Sequence, residues 1–166
     1  MKINVTMTEK DLFDFSMYNS YSGFSGVFNL IFTLGALAIL IMTWNWESIG
    51  TFQRILLLCC LLLFTVVQPL MLKSKSKKQA QRTGFSTEIH LTLTDKKFVA
   101  ERAEVENSLE WDQIWKVIRI RSMYIVKVGP TRAYLIPNRS IEGREQELRE
   151  LLKKNLPKSK MKGLKA

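Results

Sequence analysis

Carboxylates are the groups in this sequence whose clustering comes nearest to a chemical site. They fall together in the second half of the chain: Glu101, Glu104, Glu106, Glu110 and Asp112. Closely spaced carboxylates can ligate a metal ion or act as paired acids. Their successive spacings of three, two, four and two residues match no ligand loop of fixed register. We therefore interpret this cluster as a solvated acidic edge and expect no metal.

Other reactive groups are few and isolated. His90 is the one histidine and stands among threonines in an alternating segment, as a surface residue would. Cys59 and Cys60 are adjacent, too close for ordinary disulfide geometry, and are interpreted as facing lipid or a partner helix. A redox or lipidated site is the alternative for this pair. Because no phosphate-binding glycine loop and no nucleophile with a spaced base occurs, we expect neither enzymatic activity nor a cofactor.

Basic residues in the second half give a weak binding prediction. The candidates are Lys96, Lys97, Arg102, Arg119 and Arg121. Arg119 and Arg121 are two positions apart, so on a strand they would project from one face. Such a face could bind an anionic lipid or an acidic partner, and solvated strand surfaces are the alternative interpretation.

Two apolar segments dominate the first half and predict a transmembrane helical hairpin over residues 23–73. The uncharged runs cover residues 24–46 and 55–72, and roughly 20 apolar residues cross a bilayer core. Trp44 and Trp46 end the first run, as interfacial anchors do. Gly35, Ala36 and Ala38 form a small-residue patch that would let another helix approach, within the chain or in a homo-oligomer.

A basic cluster follows the second run directly and predicts the orientation of the hairpin. Its members are Lys73, Lys75, Lys77, Lys78 and Arg82. By the positive-inside rule this flank stays in the cytoplasm, so with two spans both termini are cytoplasmic. The formal net charge of +10 adds attraction to the anionic inner leaflet. No nucleic-acid-binding motif accompanies the cluster, so we do not expect nucleic-acid binding.

The remaining segments predict a mixed α+β protein. Residues 1–22 are expected to form a polar strand and a short helix at the membrane interface, with Thr8 and Asp11 at capping-box spacing. Residues 84–157 alternate in short strands and then give an amphipathic helix that Ser140 can cap. Residues 158–166 are a basic tail. This order predicts a pleckstrin-homology-like antiparallel barrel or curled sheet with one C-terminal helix.

Several short motifs occur in the second half of the chain. The pattern W-x-x-I-x-K-V runs from Trp111 to Val117, followed by Tyr124-Ile-Val and by Ala133-Tyr-Leu-Ile-Pro137. Together with the segment TEKDLFDFSMY and the two close spans, these motifs resemble the YcxB-like family of bacterial membrane proteins, and the resemblance extends along the chain. It implies a membrane-anchored, cytoplasmic pleckstrin-homology-like domain and supplies no catalytic residues.

The sequence as a whole predicts a non-enzymatic binding or scaffold module at the inner face of the cell membrane. Its partner would be a protein, a peptide or anionic lipid. The alternative is an immunity protein against membrane-active bacteriocins or a small oligomeric transport component. The sequence disfavours a pore formed by the two apolar runs, because neither run contains an ionisable residue that could line a conducting path.

Overall fold

The computed structural model describes residues 1–44, 50–81, 87–103 and 105–164. The chain forms two compact units. One combines Met1–Asp11 with Ala80–Ala166 and holds two β-sheets and a helix, and the other is the helical segment Leu12–Gln79. The predicted mixed α+β class is confirmed.

The first sheet contains four antiparallel strands in the order β1-β2-β3-β4: Lys2–Val5, Ile89–Leu93, Lys97–Arg102 and Val105–Glu110. Alternating apolar side chains give the sheet one buried face, with Leu91, Leu93 and Phe98 almost inaccessible to solvent. The division of the chain predicted from the sequence placed residues 1–22 and residues 84–157 in separate segments. The structure instead pairs β1 with β2, from Lys2 opposite Thr92 to Val5 opposite Ile89.

The second sheet has the order β7-β6-β5-β8. Its strands are β5 (Lys116–Arg119), β6 (Met123–Lys127), β7 (Ala133–Pro137) and the short β8 (Met161–Lys162), which pairs parallel to β5. Helix α4 (Glu145–Asn155) follows β7 and buries Leu148 and Leu152. The predicted cap does not form, because Ser140 lies in a short 3₁₀ turn and α4 begins after Arg144.

The two sheets do not close into a barrel. No strand ladder joins them within the described ranges, so β4 and β7 each remain an outer strand. Of the two predicted forms, a barrel or a curled sheet, the closed barrel is therefore wrong. The central residues of β4, from Glu106 to Ser108, are all polar and exposed. Since β4 lacks the apolar alternation that would drive it against another sheet, its edge stays open.

Three helices form the part of the helical unit that the structure describes: α1 (Glu9–Tyr21), α2 (Gly23–Met42) and α3 (Thr51–Ala80). Thr8 and Asp11 exchange the predicted capping bonds at the start of α1, where the Thr8 N–H donates to Asp11 Oδ2 over 2.8 Å. Gly23 has a positive φ of 67° at the break between α1 and α2, a conformation that favours glycine.

Helix α3 is long and apolar enough to cross a membrane, with a mean hydropathy of 2.6 and no buried residue in its most apolar window. Helices α1 and α2 give a second candidate only if the bent pair counts as one span. Length and composition therefore show one or two candidate spans. The predicted hairpin of two spans is a more specific interpretation and stays a prediction. The end of the first predicted span, including Trp46, lies outside the described residues.

Candidate functional site

A cleft of about 250 Å³ lies between the first sheet and β7 of the second sheet. Each sheet contributes part of its lining, and the residues are Met7, Ile89, Ala100, Arg102, Asn107, Ala133, Tyr134 and Leu135. The lining combines an apolar floor with three polar side chains. This composition is typical of small ligand sites, although the volume suits one side chain or a small molecule rather than a large ligand.

Strand register places Arg102 on the cleft side of the first sheet. Phe98, Ala100 and Arg102 alternate along β3, and Phe98 and Ala100 are buried. Asn107 on β4 lies directly opposite Ala100 and also lines the cleft. Along β3 this face thus changes from apolar at Phe98 to basic at Arg102, at the end of β3 that leads into β4. Among the basic residues predicted to bind, Arg102 is the one that lines this cleft.

Tyr134 forms the opposite wall of the cleft. Its ring lies 5.2 Å from the Phe98 ring, centroid to centroid, where the two sheets contact one another. Burial raises the pKa of the Tyr134 hydroxyl above its usual value, and this effect exceeds the opposing effect of nearby Arg132. The hydroxyl is therefore neutral at physiological pH and can donate a hydrogen bond to an acceptor in the cleft.

The opposite face of the first sheet carries the predicted acidic edge. Glu101 on β3 lies directly opposite Glu106 on β4, and both side chains are exposed. Lys97 lies opposite Glu110, which gives that pair opposite charges. Glu104 lies outside the described residues. No group of three metal-ligating side chains occurs in the part of the chain that the structure describes.

Arg119 and Arg121 have different surroundings. The Arg119 guanidinium contacts Glu145 and Tyr124: its Nε donates to Glu145 Oε1 over 2.9 Å, and its Nη2 also donates to that oxygen. Arg149 Nη2 donates to the same oxygen over 3.0 Å, and the Tyr124 hydroxyl donates over 2.8 Å. Arg121 lies in the exposed turn after β5, where its carbonyl accepts a bond from Asn138. The structure does not bring the two arginines together.

Glu145 is the centre of this cluster, which the sequence reasoning missed. Hydrogen bonds from Tyr124, and then from Arg119, lower the pKa of the Glu145 carboxyl from 4.5 to about 2. The one sequence signal was the spacing of Glu145 and Arg149, four positions apart on an amphipathic helix. The carboxylate already accepts hydrogen bonds from both arginines and from the tyrosine hydroxyl. We therefore interpret this cluster as a contribution to fold stability and not as a site that binds an external anion.

The other predicted basic residues are dispersed. Lys96 lies in the exposed turn between β2 and β3, and Lys97 begins β3. Helix α3 carries four of the five residues in the membrane-surface cluster, Lys73, Lys75, Lys77 and Lys78, and all four are exposed. Arg82 lies outside the described residues. The apolar run and these lysines therefore share one continuous helix.

Comparisons with known proteins address residues from β3 to α4. No curated protein and no solved structure matches the chain. The model of the YcxB-like protein family matches residues 93–152, a segment that includes the cleft residues of β3, β4 and β7. Over residues 93–152, this match confirms the resemblance that the tryptophan–isoleucine and isoleucine–proline motifs predicted, so this segment is similar to the YcxB-like family.

Proposed function

We propose that this protein is a membrane-anchored, non-enzymatic binding module. The helical unit anchors it in the bilayer, and the α+β unit binds a partner at the cytoplasmic face. Large apolar side chains on α2 and α3 support the anchor, because Ile31, Phe52 and Met71 each expose more than half of their surface. Such side chains are stable in lipid and unfavourable in water.

The pairing of β1 with β2 is the observation that carries this proposal. The chain leaves the α+β unit after Asp11 and returns to it at Ala80. Since β1 and β2 are hydrogen-bonded neighbours in one sheet, both connections begin on the same side of any membrane. The helical insertion must then cross the bilayer an even number of times. With α3 as one span, the bent pair α1–α2 supplies the second.

The lysines of α3 support a cytoplasmic position for the α+β unit. They follow the apolar part of the helix without a break, and the chain then enters that unit at Ala80. Basic residues that flank a span remain on the cytoplasmic side. The same lysines attract anionic lipid, by about 1 kcal/mol for each residue near the surface.

We further propose that the partner is an extended protein segment that pairs with the open edge of β4. An unpaired edge offers backbone N–H and C=O groups to an added strand. Side chains of that strand would alternate between the cleft and the acidic face. An apolar side chain suits the cleft, and basic side chains suit Glu106 and Glu110.

Cysteine labelling in intact cells tests the anchor. In a Cys59→Ser, Cys60→Ser background, Thr51→Cys lies at the first residue of α3 and Asp95→Cys lies in the turn before β3. A membrane-impermeant maleimide added outside should label the first position directly and the second only after permeabilisation. Direct labelling of Asp95→Cys contradicts the orientation. Failure to label Thr51→Cys until permeabilisation contradicts the crossing.

A further inference from the structure

A second cavity, of about 480 Å³, lies within the helical unit. Residues of α1, α2 and α3 line it: Met17, Tyr21, Gly26, Asn29, Leu30, Thr33, Phe64, Thr65 and Pro69. It is distinct from the cleft between the sheets and plays no part in the proposed peptide binding. Most of its lining is apolar, with a small number of hydroxyl and amide groups.

Pro69 explains why α3 is distorted beside this cavity. Proline has no N–H to donate to the carbonyl four residues earlier, and its ring crowds that carbonyl, here Thr65. The helix accordingly widens into a π-helical turn over Leu63–Val67, where the Gln68 N–H donates to the carbonyl of Leu63. The Phe64 carbonyl accepts a 2.9 Å hydrogen bond from the Tyr21 hydroxyl. Single π-helical turns occur frequently at functional sites.

Asn29 is the group in the cavity whose hydrogen bonding is incomplete. The residue is only 7% exposed, and its Nδ2 donates to Gln68 Oε1 over 3.1 Å. Its Oδ1 is buried and has no hydrogen-bond partner in the part of the chain that the structure describes. A buried carbonyl oxygen without a donor is unfavourable, so a ligand that supplies one gains affinity there.

We propose that this cavity binds a lipid-like molecule with an apolar body and one hydroxyl group. The apolar lining accepts the body, and the hydroxyl donates to Asn29 Oδ1. A molecule of this kind reaches the cavity from the surrounding bilayer, so the inference assumes the membrane position proposed above. It does not depend on the number of crossings or on any partner of β4, because the cavity is built within the helical unit alone.

Photolabelling of the full chain in phospholipid nanodiscs tests the site. The probes are a diazirine-bearing long-chain alcohol and its methyl ether, which has the same body and no donor. The alcohol should label cavity residues such as Met17 and Thr65 saturably, and the ether should require about fivefold higher concentration, as one lost hydrogen bond predicts. Equal labelling by the two probes overturns the proposal, as does labelling spread over exposed residues such as Leu58.

Two variants separate binding from helix packing. Asn29→Leu and Gln68→Leu both remove the hydrogen bond between α2 and α3, but only Asn29→Leu removes the free oxygen. Gln68→Leu should keep the preference for the alcohol, and Asn29→Leu should lose it. Loss of the preference in both variants, or photo-crosslinking of two copies through this face, overturns the proposal. The probe comparison on the unaltered chain stands even where a variant does not fold.

Discussion

Arg139 holds the carboxylate of Asp11 with two guanidinium nitrogens, over 2.7 and 2.5 Å, although the residues are 128 positions apart. Arg139 Nη2 also donates to the Thr6 carbonyl over 2.6 Å. Asp11 is 5% exposed in its side chain, whereas Arg139 is 43% exposed. This ion pair ties the segment after β1 to the turn after β7, so it links the two separate stretches of chain that form the α+β unit.

Arg139→Met should lower the free energy of unfolding by about 2 kcal/mol, because it leaves a buried carboxylate without its charged partner. This estimate lies below the range for fully buried pairs, since the arginine is partly exposed. Denaturant unfolding of the detergent-solubilised chain, followed by tryptophan fluorescence, measures the change. Lys154→Met is the matched control, because Lys154 and Asp95 are each 64% exposed and their pair should contribute less than about 0.5 kcal/mol. Equal losses of stability in the two variants would contradict the stabilising role assigned to the ion pair between Arg139 and Asp11.

The Glu145 cluster predicts a loss of stability in acid. The folded pKa of Glu145 is about 2 and its ordinary value is 4.5. The contribution of this carboxylate is therefore fully present above pH 4.5 and is lost as the pH falls toward 2. Glu145→Gln should be less stable than the unaltered chain at pH 7, and the difference should shrink below pH 4.5.

Equilibrium unfolding at a series of pH values measures this convergence. The effect is modest, because the Glu145 side chain is 42% exposed and solvent screens the cluster. Asp11 also has a lowered pKa, since bonds from Arg139 and Thr8 outweigh the raising effect of its burial. Its contribution is common to both proteins and cancels in the comparison. A constant difference from pH 7 down to acid would refute the role assigned to Glu145.

Glu106→Lys should change stability and partner binding in opposite directions. Like charges directly opposite on neighbouring strands are destabilising, so a lysine across from Glu101 should raise the free energy of unfolding by up to about 1 kcal/mol. The same change should weaken an alternating apolar and basic peptide several-fold, because it replaces attraction at the β4 edge by repulsion.

Fluorescence anisotropy with such a labelled peptide, and denaturation of the same samples, give both readouts. Glu142→Lys is the matched control, because Glu142 is an exposed glutamate away from β4. It should leave peptide affinity within about twofold, apart from the change in net charge that both variants share. If the two variants weaken the peptide equally, general electrostatics rather than the β4 edge governs binding.

Local patterns predicted those elements whose stability is decided by near neighbours in sequence. The alternation of apolar and polar residues within 84–157 correctly indicated strands such as β2, and the amphipathic pattern that follows indicated α4. The Thr8–Asp11 capping bonds were also predictable, because they join residues three positions apart.

Pairings across long stretches of chain were not predictable in this way. β1 pairs with β2 across the whole helical insertion, and periodicity within Lys2–Val5 carries no information about that partner. The cluster of Arg119, Tyr124 and Glu145 likewise forms only when α4 contacts the second sheet. The clustered glutamates of the acidic edge could be recognised in the sequence. The cleft could not, because it depends on the distance between the two sheets in the folded protein.

Gly26 and Gly35 both lie in α2 and differ in the space that surrounds them. A Cβ atom on Gly26 would lie 2.1 Å from the Tyr21 carbonyl oxygen, which belongs to backbone and cannot simply move aside. A Cβ on Gly35 would meet no atom within 4 Å among the described residues. Gly26→Ala should therefore force the α1–α2 bend to open and lower the free energy of unfolding by about 2 kcal/mol or more. Gly35→Ala should be neutral or raise it by up to about 1 kcal/mol, through better helix propensity. Thermal unfolding of both variants in one detergent decides the matter, and a Gly26→Ala protein as stable as Gly35→Ala would show that the bend is not fixed by this contact.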